Sequence, residues 1–221
     1  MDRVLEPEVM DDRAQVVAYA QADFSESNQL FVDRLIAEFG HALPKVVDLG
    51  CGPADVTVRL AKAVHSAHIT GVDASAEMLS LAREAVRTAR LTDRITLHLG
   101  RLPGLGLPEH SFDAVLSKDM LHHLPDPQVL WREAQRLGGR GAAVYVMDLV
   151  RPGSPLEARE IVERVAGGEH PILKEDFYNS LCAAFTVEEV RAQLRTAGLH
   201  LTVEQASDRH MRVKGRLSGP S

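Results

Sequence analysis

Two aspartates and the glycines between them are the residues of this chain whose types and spacing point most directly to chemistry. Val46-Val47-Asp48-Leu49-Gly50-Cys51-Gly52-Pro53-Ala54-Asp55 reads as a buried strand, a glycine turn and the start of a helix. Gly71-Val72-Asp73-Ala74-Ser75 then ends a second apolar run in an acid. Asp73 follows the turn by about 20 positions, where a carboxylate at a strand end can accept from both ribose hydroxyls of an adenosine cofactor. Gly50 and Gly52 let the backbone approach that ligand with no side chain in the way. Cys51, between them, keeps the turn small. The details choose the cofactor. A dinucleotide turn needs small residues at all three key positions, and here the third is Asp55. Asp48 adds negative charge where a pyrophosphate would be repelled and a sulfonium or ammonium group attracted. Asp48 could alternatively cap the turn that follows it. The pattern reads as a site for S-adenosylmethionine (SAM), with S-adenosylhomocysteine as product, rather than for NAD. An NAD-dependent oxidoreductase on a similar sheet is one alternative. A SAM-binding protein without catalysis is another.

Methyl transfer from SAM is an in-line displacement, so a protein mainly aligns the nucleophile and excludes water. A hydroxyl or carbon acceptor must also lose a proton. His122 and His123 follow the fourth strand and titrate near neutral pH, which makes them candidate bases. Adjacent residues on a turn do not both point into one site, and the bland alternative is that one packs and one caps a helix. Asp119 is the rival base. Ser117 and Lys118, at the end of the fourth strand, are expected to face the methionyl group. Ala74 and Met78 are expected along the adenine edge, with core packing the alternative for Met78. No metal is expected: Asp148 has no second acid beside it to build a cluster of oxygen ligands.

Strands and helices must position these groups. Continuous apolar runs at 45–50, 68–73, 94–99, 112–117 and 142–149 read as buried strands. Helical periodicity fills 27–39, with Ser25 or Ser27 as cap, then a helix opened by Pro53, a helix capped by Ser75 reaching Arg90, and 128–137. Gly138-Gly139-Arg140-Gly141 reads as a break. Thr186 caps the last helix. Ala192 to Leu201 and Arg209 to Leu217 complete the sheet, and the polar alternation of the last run suits an edge or an antiparallel strand. Alternating strands and helices imply right-handed crossovers and a parallel sheet. Residues 151–182, with a helix over 154–166, fall outside that plan and read as an insertion above the strand ends, a lid over the substrate or an extra packing helix.

The chain has 221 residues and a formal net charge of −6. That length suits one α/β domain, and no block of basic residues suggests a nucleic-acid surface. No Pro-Pro-aromatic stretch for a flipped base follows the fourth strand either. Cys51 and Cys182 have no metal spacing and read as reduced, buried thiols. The acidic N-terminal segment does not read as a signal peptide, and no run reaches the length of a membrane span. A cytoplasmic protein is the expectation, with a small-molecule substrate, no nucleic acid, no membrane, and a homodimer on base rate alone.

Asp48-Leu49-Gly50-Cys51-Gly52 resembles the first signature of class I SAM-dependent methyltransferases, and Gly71-Val72-Asp73-Ala74-Ser75 resembles their second. Phe112-Asp113-Ala114-Val115 through Leu121-His122-His123-Leu124 resembles their fourth-strand region. The nearest flavour is the small-molecule group that includes the ubiquinone and menaquinone methyltransferases. The resemblance implies an α/β fold: a Rossmann-like, seven-stranded, mostly parallel sheet with helices on both faces and an antiparallel last strand. It implies one domain over 1–221, divided into N-terminal cap helices (1–40), a SAM-binding core (45–150), the lid insertion (151–182) and a C-terminal helix with strands (183–221). Tyr19, Asp23 and Asn28 lie where the N-terminal segment of this family folds over the cofactor, and Tyr178 and Asn179 would reach substrate from the insertion. One departure stands out. The family places an acid after the third strand to accept from the adenine amine, and here the residues are Gly100-Arg101-Leu102. Arg101 only donates, so adenine contact passes to the Leu102 backbone and to packing.

Overall fold

The computed structural model describes residues 1–6 and 22–218. Tyr19 and the short helix expected at 12–21 lie outside them. The chain runs α1 (Ser25–Phe39), β1 (Lys45–Leu49), α2 (Asp55–Ala63), β2 (His68–Asp73), α3 (Ala76–Thr88), β3 (Ile95–Leu99), β4 (Phe112–Lys118), a 3-10 turn (Leu121–His123), α4 (Gln128–Leu137), β5 (Gly138–Leu149), α5 (Pro155–Ala166), α6 (Pro171–Ala183), α7 (Val187–Thr196), β6 (Thr202–Gln205) and β7 (His210–Arg216). The strands form a seven-stranded sheet in the order β3-β2-β1-β4-β5-β7-β6. The first five strands are parallel, and β7 runs antiparallel between β5 and β6. The expected fold class therefore stands.

Both faces of the sheet are covered, which is why its central strands read as continuous apolar runs. Val46, Ala114, Leu116 and Tyr145 point to one face, where Phe31, Val32 and Leu35 of α1, Leu60 of α2 and Leu79 of α3 pack on them. Val47, Val115, Val144 and Val146 point to the other, against Leu130 and Trp131 of α4 and Val190 and Leu194 of α7. Trp131, fully buried, donates its indole N–H to Gln193 Oε1 at 3.0 Å, so α4 and α7 are joined without an orphaned polar group. The order of strands reverses between β1 and β4. In open parallel sheets that switch point opens a crevice at the carboxyl ends of the strands, and every proposed cofactor residue lies on that side.

Several local expectations need correction. Neither Ser25 nor Ser27 caps α1: Phe24 occupies the cap position, and Asp23 instead accepts from the Ser25 N–H at 2.9 Å. Helix α2 opens at Asp55 rather than at Pro53, because Ala54 sits in the left-handed region. Gly138 to Gly141 are not a break but the first residues of β5. The irregular register between Phe112 and Ala114 and the positive φ of Gly141 absorb the distortion there. Residues 192–196 finish α7, and the sixth strand is the shorter Thr202–Gln205. The last strand is antiparallel but internal; β6 is the edge. Ser75 and Thr186 do cap their helices, Thr186 with a reciprocal capping box through Glu189. Segment 151–182 holds α5 and most of α6, which share a separate apolar cluster of Leu149, Ala158, Ile161, Val162, Leu181 and Ala184.

Candidate functional site

The glycine turn is built by short-range constraints. Gly50 (φ 77°), Gly52 (φ 52°) and Ala54 (φ 67°) all have left-handed backbone, which costs a non-glycine residue about 1–2 kcal/mol. Gly50 and Cys51 both donate to the Val72 carbonyl at 2.9 Å, locking the turn to the end of β2. A Cβ on Gly50 would fall 2.5 Å from Met120 Cγ, so glycine is required by space as well as by φ. Among the described residues, a Cβ on Gly52 would meet nothing within 4 Å. Asp73 spans the turn: Oδ2 accepts from the Gly52 N–H at 2.8 Å and Oδ1 from the Ser75 N–H at 2.9 Å. Those bonds fix the carboxylate plane at the strand end.

Asp48 is buried beneath the turn and accepts from Thr57 Oγ1 at 2.6 Å. Burial pushes its carboxyl up to about 6, with Thr57 opposing and Asp73 adding to the rise. Cys51 is free and buried, its thiol driven far up by burial and by Asp48 and Asp73. At the pyrophosphate position of a dinucleotide turn, Asp55 is already engaged, accepting from Asn28 at 2.8 Å and from Arg59 at 2.7 Å. A turn with an open Gly52, a fixed Asp73 and two further acids fits a cationic adenosine cofactor. It does not fit a pyrophosphate.

The ends of β4 and β5 carry a second cluster. Asp148, at the end of β5, is buried and uses both oxygens: Oδ2 accepts from the Leu121 N–H at 2.7 Å, and Oδ1 from the Leu149 N–H at 2.8 Å and from His122 Nδ1 at 2.6 Å. An ionised carboxylate only accepts, so Nδ1 carries the proton and Nε2 is the remaining functional nitrogen. His122 Nε2 and His123 Nδ1 lie 3.3 and 3.2 Å from Oε1 of Glu6. The two imidazole centroids are 4.2 Å apart. Burial alone would lower the His122 pKa, but Asp148, Glu6 and Asp119 outweigh it and raise it above the ordinary histidine value. Glu6 is raised too, by burial, with His122 opposing. Asp119, left-handed at φ 54°, pairs with Lys118, and that charge together with His210 and His122 overcomes burial and lowers its carboxyl.

Glu6 arrives on a strap, residues 1–6, that crosses the same end of the sheet. The Arg3 guanidinium donates to the carbonyls of Ala183 (2.5 Å), His122 (2.8 Å) and Leu124 (3.0 Å) and lies 3.8 Å over the Phe185 ring. The Val4 N–H donates to the Cys182 carbonyl at 3.0 Å.

The structure thus gathers the candidate bases His122 and His123 into one cluster, with Asp119 beside it. Ser117 is buried and donates to the Leu49 carbonyl at 2.8 Å, tying β4 to β1. Met78 is buried in α3, Ala74 is half-buried at the end of β2, Arg101 is exposed, and Leu102 packs on the core. Asn28 is turned to Asp55, and Asp23 to the start of α1. Tyr178 lies under the Arg159 guanidinium at 4.5 Å, and Asn179 is half-buried on the same helix. Sequence reasoning passed over Thr57, Arg3 and Glu6 and gave Asp148 no role. An acid ending a buried strand was a usable signal for Asp148; nothing local marks Glu6.

Known proteins resemble this chain in sequence and in fold. Residues 46–141 match the family described as a methyltransferase domain. The 27-O-demethylrifamycin SV methyltransferase of Amycolatopsis mediterranei is 27% identical over 179 residues, 80% of this chain and 62% of that protein. The demethylmenaquinone methyltransferase of Lactiplantibacillus plantarum is 34% identical over 112 residues, 50% of this chain and 47% of that protein. The chain therefore spans between about half and three-fifths of the length of these curated relatives. A SAM-dependent methyltransferase structure from Aquifex aeolicus superposes with a TM-score of 0.71 at 18% identity, covering 91% of this chain and 97% of that one. Residues 46–141 are thus similar to a methyltransferase domain, and the fold of the chain is that of a SAM-dependent methyltransferase structure.

Proposed function

We propose that this chain transfers the methyl group of SAM to an oxygen, nitrogen or carbon nucleophile of a small molecule. The observation that carries the reading is the cradle of Gly50, Gly52 and Asp73, which offers open backbone and an oriented carboxylate to a ribose beside buried negative charge for a cationic end group. When bound, SAM supplies an electrophilic methyl carbon. The chain's own residues do the rest. Asp73 holds the ribose, the Gly50–Gly52 turn with Cys51 admits the methionyl end, and Asp48 with Lys118 and Ser117 sets its surroundings. Ala74, Met78 and Leu102 flank the adenine, with Arg101 at the rim.

For a hydroxyl or carbon acceptor, His122 takes the proton on Nε2. Asp148 fixes the ring and stabilises the imidazolium that forms, and His123 and Asp119 stand beside it. Because Nε2 faces Glu6, an acceptor reaches it once the strap yields. The acceptors named for the two curated relatives, a demethylrifamycin and a demethylmenaquinone, support a small-molecule substrate. Residues 151–182 act as a lid in this reading, with Tyr178 and Asn179 toward the acceptor. The net charge of −6 supports a substrate other than nucleic acid. A homodimeric, cytoplasmic enzyme completes the proposal.

Calorimetric titration of the wild type and Asp73→Ala with SAM, S-adenosylhomocysteine and NAD tests the cofactor. SAM or its product should bind, roughly 10- to 100-fold more weakly without the Asp73 carboxylate, the loss of one or two charge-assisted hydrogen bonds. NAD binding in place of SAM would overturn the reading. Labelled-methyl transfer to a panel of phenols, amines and quinols then tests catalysis. His122→Asn should lower the rate by about 10²- to 10⁴-fold if a base is used. SAM binding with no transfer to any acceptor would favour a binding protein. Sedimentation gives the oligomeric state.

A further inference from the structure

We propose that Glu6, His122 and His123 form a binding site for a divalent cation of the zinc class. Glu6 Oε1, His122 Nε2 and His123 Nδ1 converge from two distant segments to within 4.8 Å of one another. Their spacing is longer than a charge-assisted pair and accommodates a metal between them. A protonated imidazole on a carboxylate forms a bond of about 2.7–2.9 Å, and His122 Nδ1 to Asp148 is that short, at 2.6 Å. The two contacts of Glu6 Oε1 are longer, 3.3 and 3.2 Å. They match the edge of a tetrahedron with bonds of about 2.0–2.1 Å, which is about 3.3 Å. Oε1 itself is buried and accepts no hydrogen bond from the described residues.

The surroundings are those of a ligand set. Asp148 holds the far nitrogen of His122 and so aims the Nε2 lone pair at Glu6, the carboxylate–histidine arrangement that orients metal-binding imidazoles. Two imidazoles and one carboxylate suit Zn²⁺ or Co²⁺ better than Mg²⁺ or Ca²⁺, which prefer oxygen-only shells. Three protein ligands leave a fourth position for water. A cation there does two things. It pins the strap to the 3-10 turn, adding to the bonds of Arg3 and Val4. It also commits the His122 lone pair, so that the loaded chain lacks His122 as a base. Cation binding is read without SAM or acceptor, so its failure and the failure of the methyl-transfer reading are separate results.

The test uses the full, untagged chain stripped by a chelator and titrated calorimetrically with Zn²⁺. One equivalent should bind, and Glu6→Gln and His123→Asn should each weaken it roughly tenfold or more. Co²⁺ should give the visible absorption of a tetrahedral site in the wild type and not in the variants. A third measurement needs no variant: hydrogen exchange at the Val4 amide should slow several-fold on adding Zn²⁺. No stoichiometric binding would overturn the proposal. So would equal binding by all three proteins, which marks adventitious capture by surface histidines. So would Val4 exchange unmoved at saturating Zn²⁺.

Discussion

The glycine turn and the histidine cluster sit side by side at the carboxyl ends of the sheet, yet they are assembled in opposite ways. The turn is made by residues within one strand–turn–helix unit and the adjoining β2, and its bonds run from Gly50, Cys51 and Gly52 to Val72 and Asp73. The cluster joins Glu6 from the strap, His122 and His123 from the 3-10 turn and Asp148 from β5. The turn is constrained by backbone conformation, whereas the cluster is constrained by buried charge. Backbone constraints are written locally in glycine spacing. Charge constraints depend on which distant groups the fold brings together.

Substitutions can break this contrast, beginning where the effect is greatest. Asp148→Ala removes the acceptor of a buried imidazole and of the Leu121 and Leu149 amides. Stripping one partner from a buried charged pair costs about 3–5 kcal/mol, so denaturant unfolding should register a loss of that order. His122 should also titrate lower, read by proton NMR, because the anion that stabilised its imidazolium is gone. Gly50→Ala attacks the turn instead. The left-handed backbone and the overlap with Met120 together should cost about 2–4 kcal/mol and weaken SAM binding. If Gly50→Ala costs nothing, the turn is not held by its backbone.

Asp48→Asn should move stability the other way. The folded carboxyl is raised from 3.8 to about 6, so the native state binds the proton more tightly than the unfolded chain. Stability then falls as pH rises between about 4 and 6, and by pH 7 ionised Asp48 costs about 2–3 kcal/mol. The amide keeps the Thr57 bond and removes that cost. Asp48→Asn should therefore be more stable than the wild type at pH 7, about equal to it near pH 3.5, and a weaker SAM binder if the charge serves the cofactor. Thermal melts across pH, paired with SAM titration, decide this. The smallest effect is expected from Asn28→Ala. Its bond to half-exposed Asp55 joins α1 to α2, and its loss should cost under about 1 kcal/mol. A marked change in acceptor binding would return Asn28 to the substrate site.

Much of this molecule was legible in order of its locality. The strands read at 68–73 and 112–117, the caps at Ser75 and Thr186 and the glycine turn follow from periodicity, capping chemistry and positive φ. The misreadings share one physical origin. Gly138 to Gly141 have the composition of a loop, but pairing with β4 draws Gly138 into the sheet. Leu199, Leu201 and Val203 alternate as a strand does, but the run follows directly on α7, and pairing with β7 decides that the strand is Thr202–Gln205.

The sequence by itself determined the parallel sheet, the switch point and the glycine turn, because these depend on hydrophobic period and on backbone that only certain residues adopt. The tertiary structure alone decided that Asp48 would be buried against Thr57, that Asn28 would serve α2, and that a glutamate near the start of the chain would meet two histidines at the end of β4. Those outcomes depend on burial and on contacts between distant segments. Both are created by packing, and neither is encoded in any one stretch of residues.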